Sequence, residues 1–209
     1  MAGYITVAFV AYFLGSIPTG FLVAKARGVD IRTVGSGNIG ATNAFRILGK
    51  GPGALVLLVD AFKGWVAVQL AAPALAQFFP DIPVDSLRIC AGIAVFLGHN
   101  YTCWLGFKGG KGIATSAGVI GGLAPWALLT ILVVWILMFL ITRYVSLGSI
   151  AASVTLPFAT WLTTNHNPGL TIVTAVMAVL AIYKHRRNIR RLFDGTENRV
   201  QFRKKEAAR

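Results

Sequence analysis

Three observations predict that this chain is an all-α polytopic membrane protein of about seven transmembrane helices, one of them short. It has 209 residues, 56% hydrophobic and 13% charged, with a mean hydropathy of +0.68, against roughly half apolar and about a quarter charged for soluble domains. Its long apolar runs come near or pass the ~18 residues that mark a spanning helix. Its charge is clustered: 20 Lys and Arg face 7 Asp and Glu, and half of the basic residues lie from Lys184 onward. Beside a membrane span, such a cluster reads as a cytoplasmic flank attracted to anionic lipid rather than as a nucleic-acid site.

The first apolar run, Ala2–Ala24, has no basic residue before Lys25 and no small-residue cleavage pattern, so it is expected to stay as the first span. Pro18, within Gly15–Gly20, is expected to kink it and free carbonyls near its end. The polar stretch Lys25–Gly51, with five basic residues against Asp30, reads as a loop on the positive, cytoplasmic side. Gly53–Phe79 is the second span and carries Asp60 and Lys63 three residues apart. They can pair with each other, or Lys63 can face a ligand while Asp60 orients it. The turn Pro80–Asp85 holds two acids and no base, as an outer turn should. Leu87–Leu105 is the third span; His99, near its end, is either an interfacial residue or part of a site.

Ile113–Leu123 is short for a crossing of about 20 residues. Parity decides its status. Were it re-entrant, or joined to Trp126–Thr142, Arg143 and the basic C-terminus would face the side opposite Lys25–Lys50, against the positive-inside bias. As a crossing it completes seven spans with Trp126–Thr142, Leu147–Thr163 and Leu170–Tyr183. The N-terminus is then outside, the C-terminus cytoplasmic, and the outer turns Pro80–Asp85, Gly121–Pro125 and Thr164–Gly169 hold no Lys or Arg. The last helix is expected to run out through Lys184 to Glu197, with His185 and Asn188 on one face. Residues 1–197 form one transmembrane domain and 198–209 a solvated basic cytoplasmic tail.

This topology brings three polar stretches to one face: Gly35–Arg46, His99–Ser116 and His185–Glu197. Each combines glycines or an amide side chain with Arg, Lys or His, the chemistry of a pocket for one or two phosphates. The densest is Gly106–Gly112, with four glycines and two lysines in seven residues. It is one residue short of a nucleotide phosphate loop, and Gly112 stands where the magnesium-holding hydroxyl would be. Gly35–Gly40 contains a formal dinucleotide fingerprint, but no strand precedes it. Three scattered histidines offer no metal site, Cys90 and Cys103 no disulfide framework, and no cofactor is expected.

Taken together, five stretches resemble the bacterial integral-membrane acyl-phosphate:glycerol-3-phosphate acyltransferases, the PlsY family. They are Gly15–Gly20, Gly35–Arg46, Asp60–Gly64, Gly98–Asn100 with Phe107–Thr115, and His185-x-x-Asn188-Ile189-x-Arg191-Leu192-x-x-Gly195-x-Glu197. The resemblance implies transfer of an acyl group from acyl phosphate to the 1-hydroxyl of glycerol-3-phosphate, giving lysophosphatidic acid and phosphate, in a bacterial inner membrane with the site at the cytoplasmic face. The expected partners are these two substrates and membrane lipid, without nucleic acid. Ser36, Lys111, Asn188 and His185 are the candidate catalytic residues. Gly37, Asn38, Gly109 and Gly110 join the donor side; Arg46, Lys108 and Glu197 the glycerol-3-phosphate side; Asn43, Lys63 and His99 support. An acyl phosphate is already activated, so the protein has to neutralise phosphates, align the hydroxyl and stabilise an oxyanion. A transporter for phosphate or organophosphate is the alternative; it would place its site near the midplane between inverted repeats, and no repeat is visible.

Overall fold

A computed structural model describes residues 1–201, and among them every regular element is helical. Helix α1 (Ala2–Ser16) breaks at Ile17-Pro18 and resumes as α2 (Thr19–Lys25), the kink predicted from Pro18. The carbonyls it frees are taken within the bundle: Thr102 Oγ1 donates to Ser16 O at 2.6 Å and Lys63 Nζ to Ile17 O at 2.9 Å.

The polar stretch after α2 is not all loop. It contains α3 (Ala41–Leu48), whose Asn43 and Ala44 are buried while Phe45 and Arg46 are exposed. Eight amphipathic residues between glycines are a weak signal in sequence. Helix α4 (Lys50–Val66) starts three residues earlier than expected, Pro52 being tolerated in a first turn whose N–H groups have no intrahelical partner. A π-turn (Ala67–Ala71) links it to α5 (Ala72–Ala76). Its loosened backbone exposes Val68 O, which Arg88 Nε takes at 3.1 Å.

Helix α6 (Val84–Asn100) ends five residues before the predicted boundary. The glycine loop itself stops it: Gly109 N donates to Asn100 O (3.2 Å) and Gly110 N to His99 O (3.0 Å), satisfying terminal carbonyls that would otherwise be orphaned. Helices α7 (Ile113–Leu123), α8 (Pro125–Thr142), α9 (Val145–Thr163) and α10 (Pro168–Lys184) lie within two residues of their predicted ends. The last predicted helix is two: the axis bends by 54° at His185 and continues as α11 (Arg186–Phe193). Beyond it, Arg199 Nε reaches Thr142 O (3.2 Å) and Val200 N reaches Arg143 O (2.9 Å). Arg199 and Val200 thus touch the α8–α9 turn, while Asn198, Arg199 and Gln201 are exposed; 202–209 lie outside the described residues.

By length and composition Ala2–Lys25, Lys50–Ala76, Pro125–Thr142 and Val145–Thr163 can each cross a membrane, and the bent pair α10–α11 makes a fifth. Helices α6 and α7 are shorter or less apolar, and both are sandwiched. Contacts fix their directions. Tyr4 O meets Cys90 Sγ and Ser16 Oγ meets Gly98 O, so α1 and α6 run parallel. Along α4 and α7, a Cβ on Gly64 would strike Thr115 O, one on Gly118 would strike Ala61 O, and one on Gly122 would meet Val68 and Gln69, so these two are parallel as well. The glycines allow that approach without side chains between the backbones. The core is built from Val7, Leu87, Val95, Phe96, Ile120 and Met177, while Leu58, Phe158, Leu162 and Val179 point outward, as they do on helices solvated by lipid.

The short helix α7 has a mechanical consequence. Its eleven residues rise about 16 Å, whereas the eighteen of α8 rise about 27 Å, close to the ~30 Å hydrocarbon thickness. The two meet at the turn around Ala124. The glycine loop at the far end of α7 is therefore recessed by roughly 10 Å relative to the matching end of α8.

Candidate active site

A cleft of roughly 530 Å³ opens at the glycine-loop end of the bundle, and the three polar stretches line it. Ser36, Gly37 and Asn38 come from the loop before α3; Lys108 to Lys111 from the glycine loop; Asn188 and Arg191 from α11.

Each wall has a local cause. The loop before α3 is wound on the buried Asn43 side chain: its Nδ2 donates to Ile31 O (3.3 Å) and Val34 O (3.1 Å), and its Oδ1 accepts from Ser36 N (3.0 Å). Gly35 and Gly37 turn through positive φ (62° and 69°), as glycine permits. Ser36 Oγ is thus delivered to the cleft by a fixed backbone. In the glycine loop, Gly109 and Gly110 spend their amides on α6, contrary to the expectation that these amides meet a phosphate. Among the described residues no backbone acceptor takes Lys111 N or Gly112 N, and the first turn of α7 behind Gly112 has no side-chain cap. Of the two, Lys111 lines the cleft, so its amide is the backbone donor this wall has to offer an anion.

The third wall is a relay. Lys111 Nζ donates to Asn188 Oδ1; Asn188 Nδ2 donates to Glu197 Oε1 (2.7 Å). Glu197 also accepts from Ser146 Oγ (2.8 Å) and from Arg191 Nε (2.7 Å). Gly195, at φ 69°, turns the chain back past α11 so that Glu197 can reach Asn188. Burial pushes the Lys111 ammonium down to about 8, against the pull of Glu197 and with help from Arg191 and Arg46. Burial alone would raise Glu197, but hydrogen bonds from Asn188, Arg191 and Ser146 outweigh it and hold the carboxylate below its usual range. His185 is buried at the α10–α11 elbow with Nδ1 2.8 Å from Ala181 O. Burial, then the Lys111 charge, push its imidazole down to about 4, so it is neutral at pH 7, with Nδ1–H donating and Nε2 an acceptor.

Several candidates sit elsewhere than expected. Lys63 pairs with Asp60 at 2.9 Å, both fully buried, and Thr19 Oγ1 and His99 Nδ1 converge on the same carboxylate oxygen at 3.0 and 3.6 Å. The pairing reading holds for Lys63; the cluster braces the α1–α2 break and the start of α2 against α4 and α6, and Lys63 does not line the cleft. His99 is likewise beneath the wall, where a Cβ on Gly110 would strike its Nε2. Asn43 positions Ser36 and is itself buried. Arg46, exposed on α3, together with His185 and Glu197, lies near the cleft without lining it. Conversely, Arg32, Tyr101 and Lys184 line it and were not foreseen as site residues. Lys184 adjoins a singled-out histidine and Arg32 lies four residues before Ser36, but lone cations at a membrane flank carry no distinguishing pattern. No group of three or more metal-ligating side chains occurs among the described residues.

Residues 5–195 match a family described as "Glycerol-3-phosphate acyltransferase". A protein of that name from Geobacter sulfurreducens is 50% identical over 192 residues, covering 92% of this chain and 95% of its own. One from Geotalea daltonii is 47% identical over 199 residues, covering 95% and 98%. The chain also resembles two crystal structures of PlsY, an integral membrane glycerol 3-phosphate acyltransferase, each 39% identical. The glycerol 3-phosphate form superposes with a TM-score of 0.85 over 95% of this chain and 96% of the other; the lysophosphatidic acid form scores 0.82 over 95% of each.

Proposed function

The chain belongs to the glycerol-3-phosphate acyltransferase family, and from that premise we propose that it moves a fatty acyl group from acyl phosphate to the 1-hydroxyl of glycerol-3-phosphate. The observation that carries this reading is the Lys111–Asn188–Glu197 relay beside Ser36 in one cleft. It supplies a fixed cation and amide donors, which neutralise phosphate, and it supplies no nucleophile–base pair. An activated donor needs none.

In this reading the donor phosphate lies against the Lys111 ammonium and backbone amide and Ser36 Oγ, with Gly37, Asn38, Gly109 and Gly110 shaping the floor. Lys108 and Arg191, with Arg46 nearby, hold the phosphate of the acceptor. The 1-hydroxyl oxygen attacks the acyl carbonyl carbon, and the oxyanion is met by donors already in place. The carbon–oxygen bond to phosphate then breaks and inorganic phosphate leaves. The hydroxyl proton passes to a substrate phosphate, whose second pKa is near ~6 by analogy with phosphorylated side chains. His185, buried at the elbow with its Nδ1 held by Ala181 O, fixes the turn from which Asn188 is presented. Glu197 acts through Asn188 rather than on substrate.

For topology the reading is seven crossings, N-terminus outside, with the cleft at the cytoplasmic face of a bacterial inner membrane. It is supported by the parallel pairs α1–α6 and α4–α7, which give α7 the direction of a full crossing. Each buried methylene of an acyl chain favours the bilayer by ~0.8 kcal/mol, so the donor enters sideways between helices. The transport alternative falls with family membership, and the clustering of polar groups at one end of the bundle also argues against it.

The test is incubation of detergent-solubilised protein with labelled glycerol-3-phosphate and either acyl phosphate or acyl-CoA. Labelled lysophosphatidic acid with stoichiometric phosphate release is expected from acyl phosphate alone. Product from acyl-CoA at a comparable rate would overturn the donor assignment.

A further inference from the structure

We propose, on the functional reading above, that Lys184 is a positioning residue: through the Asn100 carbonyl it fixes the spacing between the glycine loop and α11, the walls that carry Lys111 and Asn188. Asn100 O accepts two hydrogen bonds, from Gly109 N at 3.2 Å and from Lys184 Nζ at 2.6 Å. The Lys184 ammonium also sits 4.1 Å from the centre of the Tyr101 ring, and the Tyr101 carbonyl is held by Tyr12 Oη at 2.7 Å. Lys184 is thus anchored to α6 and, through Tyr101, to α1.

Its place in the chain gives the anchor leverage. Lys184 is the last residue of α10; at the next residue the axis turns 54°, and Asn188 follows one turn into α11. Asn188 then holds Lys111, two residues beyond Gly109. The contacts close a ring: Gly109 to Asn100, Asn100 to Lys184, the elbow to Asn188, Asn188 to Lys111, and along the chain back to Gly109. Cutting it at Lys184 leaves α11 able to rotate about the elbow. A cation suits the position, because Asn100 is the C-terminal residue of α6 and carries the negative end of its dipole. The side chain is only half-buried at the cleft wall and contributes nothing to the apolar core. Its loss is therefore expected in turnover, not in folding.

The experiment compares Lys184→Met, Lys184→Gln and Lys184→Arg with wild type in the glycerol-3-phosphate acylation assay, with unfolding temperature in detergent as control. Misplacement of the walls should lower kcat of the Met variant by roughly 10- to 100-fold, with both KM values within about threefold of wild type. Gln donates to the same carbonyl without charge and should recover at least about threefold over Met. Wild-type kcat in the Met variant overturns the proposal. So does a rise confined to one KM with Gln no better than Met, because that marks an ammonium acting directly on a phosphate. Should the Met variant not fold, Gln against Arg decides: positioning requires both to keep activity, whereas direct phosphate contact requires Arg alone. Failure of wild type to acylate glycerol-3-phosphate in the same preparation would instead remove the reading beneath the proposal.

Discussion

Glu197→Gln keeps the shape of the side chain and removes its charge, and the relay predicts what Lys111 then does. The carboxylate stands across a single amide from the ammonium, Lys111 to Asn188 Oδ1 and Asn188 Nδ2 to Glu197 Oε1 at 2.7 Å. That separation is about 7 Å, worth roughly 2 kcal/mol at an effective dielectric constant of about 20. Allowing for screening at a partly open cleft, the loss lowers the ammonium pKa by about one unit at 1.36 kcal/mol per unit. Lys111 titrates at about 8 in the native site, burial being the main cause. The sign follows: the ammonium is present below that pH and lost above it, so activity that needs it is flat below and falls above. The descending limb should move from about 8 to about 7 in the variant, with maximal rate also reduced because Arg191 loses its partner. Initial rates of lysophosphatidic acid formation between about pH 5.5 and 9.5, corrected for uncatalysed hydrolysis of the donor, measure it. An alkaline limb that stays in place or moves upward would refute the role assigned to the relay. Lys111→Arg supplies the converse, since a guanidinium stays charged throughout: any residual activity should show no alkaline limb.

Three further outcomes are expected. The acid limb, set by a substrate phosphate, should lie near ~6 and be unmoved by substitutions at Lys111 or Glu197, which a pH profile of the same variants checks. Asp60→Asn strands the buried Lys63 charge and should cost about 3–5 kcal/mol of stability, whereas Asp60→Asn with Lys63→Met should cost clearly less; unfolding in detergent measures both. Arg88→Met removes the donor to Val68 O, Gln69 Oε1 and Gly122 O, opening the π-turn and uncapping α7. It should cost about 3 kcal/mol without changing the pH profile of activity, since Arg88 is at the end of α7 away from the cleft.

Much of the fold is legible because a bilayer leaves few choices. Apolar length marked the helices, and the ends of α7 to α10 fell close to prediction. Charge parity gives the short Ile113–Leu123 run the direction of a crossing, and α7 packs parallel to α4, the arrangement such a crossing requires. The errors share one cause. The C-terminal end of α6 and the unbroken run from Leu170 to Glu197 were read from local pattern, yet α6 is stopped by amides of Gly109 and Gly110, and the last helix bends by 54° just after Lys184, which is held by Asn100. Both are contacts between residues remote in the chain, which no local window contains. Helix α3 was missed for a related reason: its burial is against α4 and the 31–36 loop rather than against lipid.

The site divides the same way. The sequence by itself determined that the chain resides in a membrane, that its cations and glycines gather in three stretches, and that these share a face, because composition, length and charge sign are properties of the chain alone. It also presented Lys63, Asn43 and His99 as site candidates, since a polar residue in an apolar run looks functional whether it meets a ligand or a partner. Only the tertiary structure decided that Lys63 belongs to Asp60, that Asn43 belongs to the backbone of its own loop, and that Lys111, Asn188 and Glu197 form one relay. Hydrogen bonds are selective over tenths of an ångström, and which donor finds which acceptor is set when the helices dock.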